Sequence, residues 1–255
     1  MTLNDIDKIY FLHLSDRYDR EHWLKKQIRF VEFPEDKVNI WWTCRRNFFN
    51  DNERLIQTEE FLDSANANKL NPKRISGIFN CALEHYTIIR TSYDRGYENI
   101  LIFEDDINFF VKSNVFEYFL NNVPENYKCI KFYNRNQTIP TIDPQYSTHF
   151  NDIPDISKIN NNNLYSKHII NDYTIDNSIL RSTAAYMLDR QGMEELIKIY
   201  NHYFPLPCDI LFNYLDYVYL CNYKLVTTQD LVCDIGNNLI SDLWDIDTNK
   251  IYSNI

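Results

Sequence analysis

The run Ile100-Leu101-Ile102-Phe103, followed without a break by Glu104-Asp105-Asp106, constrains the fold of this chain more than any other stretch. Consecutive apolar residues, set off on one side by Gly96 and Asn99, read as a strand buried on both faces, which belongs in a sheet covered by helices. The carboxylates then fall at the carboxyl edge of the sheet, where open α/β sheets hold their ligands. Adjacent like charges repel unless a cation compensates them, and hard divalent ions take carboxylate oxygens. The run therefore predicts a metal and nucleotide site, with a solvated acidic turn behind a core strand as the plainer alternative.

The flanking pattern extends the α/β reading. Ile6 to Leu14 reads as a buried strand. A helix follows through about Phe30, capped by Ser15 or Asp16, with Trp23, Leu24, Ile28 and Val31 as its stripe. Val38 to Trp42 reads as a second strand. The polar stretch from Thr43 to Asn71, helical around Glu53 to Leu62, reads as a connection or lid. Ser76 to Tyr93 is a long helix with Ile78, Ala82, Leu83, Tyr86, Ile89 and Tyr93 on its apolar face, stopped by Gly96. Beyond the acids, Val115 to Val123 reads as a short helix and Lys128 to Tyr133 as a strand. Residues 134–177 form a long irregular segment, read as an acceptor-side loop or a surface insertion. Ser182 to Tyr186 suggests a strand or turn, Arg190 to Tyr200 a helix, and Ile210 to Leu215 a short helix led by Asp209. Tyr217 to Leu220 and Tyr223 to Val226 are expected to pair as terminal strands. No repeat or linker divides residues 1–255, so a single domain is expected.

Composition narrows the function. With 4 glycines in 255 residues, a Gly-rich phosphate cradle is excluded. A formal charge of −10 and a pI near 5.1 argue against nucleic acid as a partner, although a nucleotide phosphate can still bind through a metal. The start of the chain lacks the apolar core of a signal peptide, and no apolar run is long enough to span a bilayer, so a cytoplasmic protein is expected. The 6 cysteines show neither a close-pair zinc spacing nor a secreted disulfide framework, and read mostly as buried thiols. Abundant Asn, Ile, Lys and Tyr suggest an AT-rich genome, viral ones included.

Taken in order, the blocks IDKIYFLHLSDRYDR, GIFNCALEHYTIIR, NILIFEDDI, STAAYMLDRQGMEEL, PLPCD and VTTQDLVCDIGNNLISDL resemble glycosyltransferase family 25. That family includes bacterial lipooligosaccharide galactosyltransferases and collagen hydroxylysine galactosyltransferases. The resemblance implies a GT-A type fold, a Rossmann-like mixed sheet flanked by helices that binds a nucleotide sugar. It also implies a DXD-like acidic motif holding Mn²⁺ or Mg²⁺. Carried over, Asp106 is the direct metal ligand, Glu104 touches the ion or the ribose, and Asp105 stands behind them. The chain departs from the family pattern at His13, Asp16 and Glu84, where Asn, Arg and Ser are common; these changes bear on donor preference more than on fold.

The implied reaction moves galactose or glucose from a UDP-sugar to a hydroxyl of a glycan or a hydroxylysine-containing polypeptide. A divalent ion stabilises the diphosphate leaving group. Inversion needs a general base, and Asp209 is the candidate, with helix capping as its alternative role. Asp234 and Asp242 are candidates for a further metal ligand. Arg17 and Arg20 are candidates for the diphosphate or nucleoside, because guanidinium binds phosphate bidentately, although Arg20 and Asp16 also stand at the spacing of a helical surface pair. His85 reads as a hydrogen-bonded helix residue near the donor rather than as a metal ligand. Tyr10 and Trp41-Trp42 read as core, an aromatic at a sheet edge being also a stacking surface for uracil or sugar. The competing classes are a metal-dependent phosphohydrolase and a sugar-nucleotide-binding protein without turnover.

Overall fold

The computed structural model describes residues 1–44, 72–133, 164–167, 182–203, 208–223 and 225–228. The strands are β1 (Lys8–Leu14), β2 (Val38–Thr43), β3 (Asn99–Glu104), β4 (Ile107–Phe109), β5 (Cys129–Lys131), β6 (Tyr165–Lys167), β7 (Ala185–Asp189), β8 (Val218–Cys221) and β9 (Val226–Thr228). The helices are α1 (Tyr18–Val31), α2 (Pro72–Asp94), α3 (Ser113–Leu120), α4 (Arg190–Tyr203) and α5 (Cys208–Leu211). Among the described residues, seven strands form one mixed sheet in the order β2-β1-β3-β7-β5-β8-β6, and β4 pairs with β9 in a second, two-stranded sheet. The fold is the mixed α/β sheet with flanking helices expected of a GT-A type glycosyltransferase.

Two halves meet in the main sheet. β1 pairs in parallel with both β2 and β3, as βα units dictate. β7 then enters antiparallel to both β3 and β5, while β8 runs parallel to β5. Alternation along the central strands fills both faces. Phe11, Leu101 and Phe103 join one core with Phe33, Phe109 and Phe116. Tyr10, Ile100 and Ile102 join the other with Tyr186, Leu196 and Phe212. The apolar run before the acids is thus a central strand with Ile100 to Phe103 fully buried.

The small sheet is tied to α1. Trp23 Nε1 donates to the Ile107 carbonyl at 3.0 Å, and the buried Gln27 accepts from the Phe109 amide through Oε1 at 2.8 Å. These bonds hold β4 against α1, so the chain must turn sharply between Glu104 and Ile107. Asp105 and Asp106 form that turn.

Several expectations are corrected. β8 and β9 do not pair with one another: β8 lies between β5 and β6, and β9 completes β4. Tertiary partners distant in sequence outcompete the nearby strand. The cap of α1 is Arg17, with no side-chain cap bond; Ser15 and Asp16 lie in the turn before it. Its first turn instead carries Asp19 and Glu21, which suit the positive end of the helix dipole. On α2, Ala82 and Ile89 are buried and Tyr86 and Tyr93 pack half-buried against the same core as expected, but Leu83 is only half-buried, and Glu84, His85 and Ile88 are buried as well. Trp42 is 52% exposed rather than core, and Cys44 is exposed. The segment 134–177 includes the edge strand β6, paired with β8; the rest of it, the stretch from 45 to 71, Asp234 and Asp242 lie outside the described residues. Among the described residues no helix is long and apolar enough to cross a membrane.

Candidate active site

The three carboxylates that end β3 point into different surroundings. Asp105 turns inward and is 4% exposed. Its Oδ2 contacts His13 Nδ1 at 2.8 Å and accepts from the Leu14 amide at 3.2 Å, while Arg20 donates to Oδ1 at 2.7 Å. Burial works against its charge, yet the bonds from His13, Arg20 and Leu14 hold its carboxyl below the ordinary range. This residue welds the end of β1 and the start of α1 to the turn.

Asp106 has no such support. Its Oδ1 is buried without a hydrogen-bond partner, and its Oδ2 lies 3.7 Å from Arg20, beyond hydrogen-bond range. Burial, then the neighbouring charge of Glu104, raise its carboxyl to about 7 against the pull of Arg20. A desolvated carboxylate with an idle oxygen beside a second carboxylate is a group a cation would stabilise. The donor set therefore fits a hard divalent ion.

Glu104 faces the opposite wall, built from α2, α5 and the segment before β7. Thr183 donates to its Oε1 at 2.6 Å, and His85 Nε2 stands 3.4 Å from the same oxygen. Burial opposes the charge of Glu104, but His85 and Thr183 keep its carboxyl below the usual range. His85 is fully buried; its Nδ1 is bonded to the Tyr186 hydroxyl at 2.7 Å. Burial lowers the His85 pKa less than Cys208 and Glu104 raise it. Asp209 lies in the first turn of α5 rather than at its cap, and its Oδ2 accepts from the Ser182 amide at 3.4 Å. Ser182 holds a left-handed φ of 88°, which directs that amide and brings Thr183 over Glu104.

The sheet edge thus gathers Glu104, Asp105, Asp106, His85, Asp209 and Arg20 of the predicted residues. Arg20 serves the acids directly. Arg17 instead chelates Asp19, its Nε at 2.9 Å from Oδ1 and its Nη2 at 2.7 Å from Oδ2. Sequence reasoning passed over Thr183 and Lys131. Lys131, at the end of β5, is 1% exposed; its ammonium donates to the Ser182 carbonyl and stands 5.1 Å from the Phe212 ring centre. Burial lowers its pKa, while Cys129 and Asp209 oppose that shift. The signal was present: a charged residue inside the apolar run KCIKFY, on a strand buried on both faces.

A search among curated proteins found no match to the chain. The profile of glycosyltransferase family 25, described as an LPS biosynthesis protein, matches residues 6–212. That span runs through the strand bearing the acidic triplet, the wall formed by α2 and Thr183, and Asp209 in α5, so the match and the geometry cover the same ground. The chain belongs to glycosyltransferase family 25.

Proposed function

We propose that this glycosyltransferase moves a hexose, galactose or glucose, from a UDP-sugar to an acceptor hydroxyl with inversion, using Mn²⁺ or Mg²⁺ at Asp106. The observation that carries the reading is the buried, unpartnered Oδ1 of Asp106 beside Glu104. When bound, the divalent ion would neutralise charge developing on the departing diphosphate. Asp106 would hold it, and Glu104 would contribute to the ion or the ribose. Asp105 keeps the turn rigid through His13 and Arg20, so that the two outer carboxylates stay in place. The exposed ring of Trp42, edge-on to His13 at 4.9 Å, offers a stacking surface for the uracil.

Asp209 is proposed as the base that takes the acceptor proton, and Lys131 keeps negative charge near the Ser182–Thr183 segment balanced. The family's description as an LPS biosynthesis protein favours a glycan acceptor over hydroxylysine. The test is donor hydrolysis and sugar transfer with Mn²⁺, comparing the wild type with Asp106→Ala. The proposal expects turnover to fall at least about a hundredfold, as when an electrostatic stabiliser is removed. Equal turnover in both would overturn the metal role, and UDP-sugar binding without turnover on any acceptor would reduce the chain to a binding protein.

A further inference from the structure

Behind Glu104 lies a second set of ligands that the acidic motif does not use. Cys81 and His85 stand one turn apart on α2 and share a face. Cys208, 127 residues along the chain from Cys81, opens α5. One ligand atom from each of Cys81, His85 and Cys208 lies within 4.8 Å of the other two. Two separations are informative. The Cys81 and Cys208 sulfurs are 3.8 Å apart, too far for a disulfide bond and close to the about 3.8 Å edge that two thiolates span on tetrahedral zinc. His85 Nε2 and Glu104 Oε1 are 3.4 Å apart, so Glu104 stands beside His85 as a charge partner without joining the set. His85 Nε2 is also fully buried, with only the long approach to Glu104, while Nδ1 is fixed by the Tyr186 hydroxyl, the arrangement that orients a metal-binding imidazole.

We infer that Cys81, His85 and Cys208 supply three ligands of a tetrahedral zinc site, separate from the donor's ion at Asp106, with the fourth position left to water. On binding, the two thiols give up their protons to solvent and neutral His85 supplies a lone pair. Two thiolates balance the charge of the zinc ion, so the site adds no net charge to the buried wall that Lys131 shares. Zinc here ties α2 to α5 and leaves Glu104 to the donor. The site does not rest on the proposed sugar transfer.

The test is metal analysis of the full chain purified with reductant and reconstituted with zinc alone. About one tightly held zinc per chain is expected. Cys81→Ser with Cys208→Ser should lose it, and Asp106→Ala should keep it. Cobalt in place of zinc should give the wild type the intense visible bands and thiolate charge-transfer absorption of a tetrahedral sulfur site. That spectrum is read on unmutated protein, so misfolding of a variant cannot obscure the result. Absence of tight zinc together with octahedral, pale cobalt would overturn the inference. So would zinc lost from Asp106→Ala but retained by the double cysteine variant. A Cys81–Cys208 disulfide in the reductant-free protein that persists when zinc is supplied would replace the metal site by a redox pair.

Discussion

At the scale of single residues, neighbours in sequence have opposite relations to stability. Asp105 is paired on both oxygens, so Asp105→Ala removes the carboxylate that Arg20 and His13 share in a buried setting and should cost about 3–5 kcal/mol, measured by urea unfolding. Asp106 is desolvated and without a partner on Oδ1, so Asp106→Asn should leave metal-free stability unchanged or raised at pH 8 while transfer is lost. Their pH dependences also oppose. The folded Asp106 carboxyl titrates near 7 against an ordinary 3.8. The native protein therefore keeps a proton the unfolded chain has released, and metal-free stability falls as pH rises from about 4 to about 7. Asp105 is held below its ordinary value, so its contribution is full above about pH 4 and is lost as pH falls through its folded value. Melting temperatures recorded across pH 3–8 with chelator should show the decline between about 4 and 7 in the wild type and a flatter profile in Asp106→Asn. A wild-type profile no steeper than the variant's would contradict the environment assigned to Asp106.

At the scale of elements, close approach leaves two glycines with different duties. A methyl group at Gly192, in the first turn of α4, would stand 2.1 Å from the Lys128 carbonyl oxygen, so Gly192→Ala must push the helix off the sheet. A loss of about 1–3 kcal/mol is expected by thermal unfolding. Gly96, with φ +78° and open space around it, ends α2, and Gly96→Ala should cost only about 1 kcal/mol of backbone strain. The elements themselves were largely legible in the sequence. The Ile100–Phe103 run, the α1 stripe and the long helix before β3 follow from local periodicity, which needs no knowledge of distant partners. What escaped is non-local. Val218–Cys221 carries no mark saying that it inserts beside β5, and Cys81 with His85 reads as one turn of an ordinary helix until α5 delivers Cys208. The acids were readable as a cluster, but their different surroundings depend on His13, Arg20 and Thr183, each contributed by a different element.

At the scale of the whole molecule, the site straddles the seam at which the two halves of the sheet join. Asp105 and Arg20 belong to the N-terminal half, whereas Thr183, Cys208 and Asp209 come from the C-terminal half. A ligand that binds both sides stabilises the join. UDP-galactose or UDP-glucose with Mn²⁺ at about a hundred times its dissociation constant should therefore add about 2.7 kcal/mol, seen as a raised melting temperature that Asp106→Ala abolishes. The seam also matters during synthesis. The edge of β3 away from β1 is filled by β7, which leaves the ribosome after α3, β5 and β6. Until then a nascent chain carries Ile100 to Phe103 as an open, sticky strand of the kind that recruits other chains. The carboxylates at its end stand where natural sequences place the charged gatekeepers that flank an unavoidable apolar strand, a duty independent of any sugar.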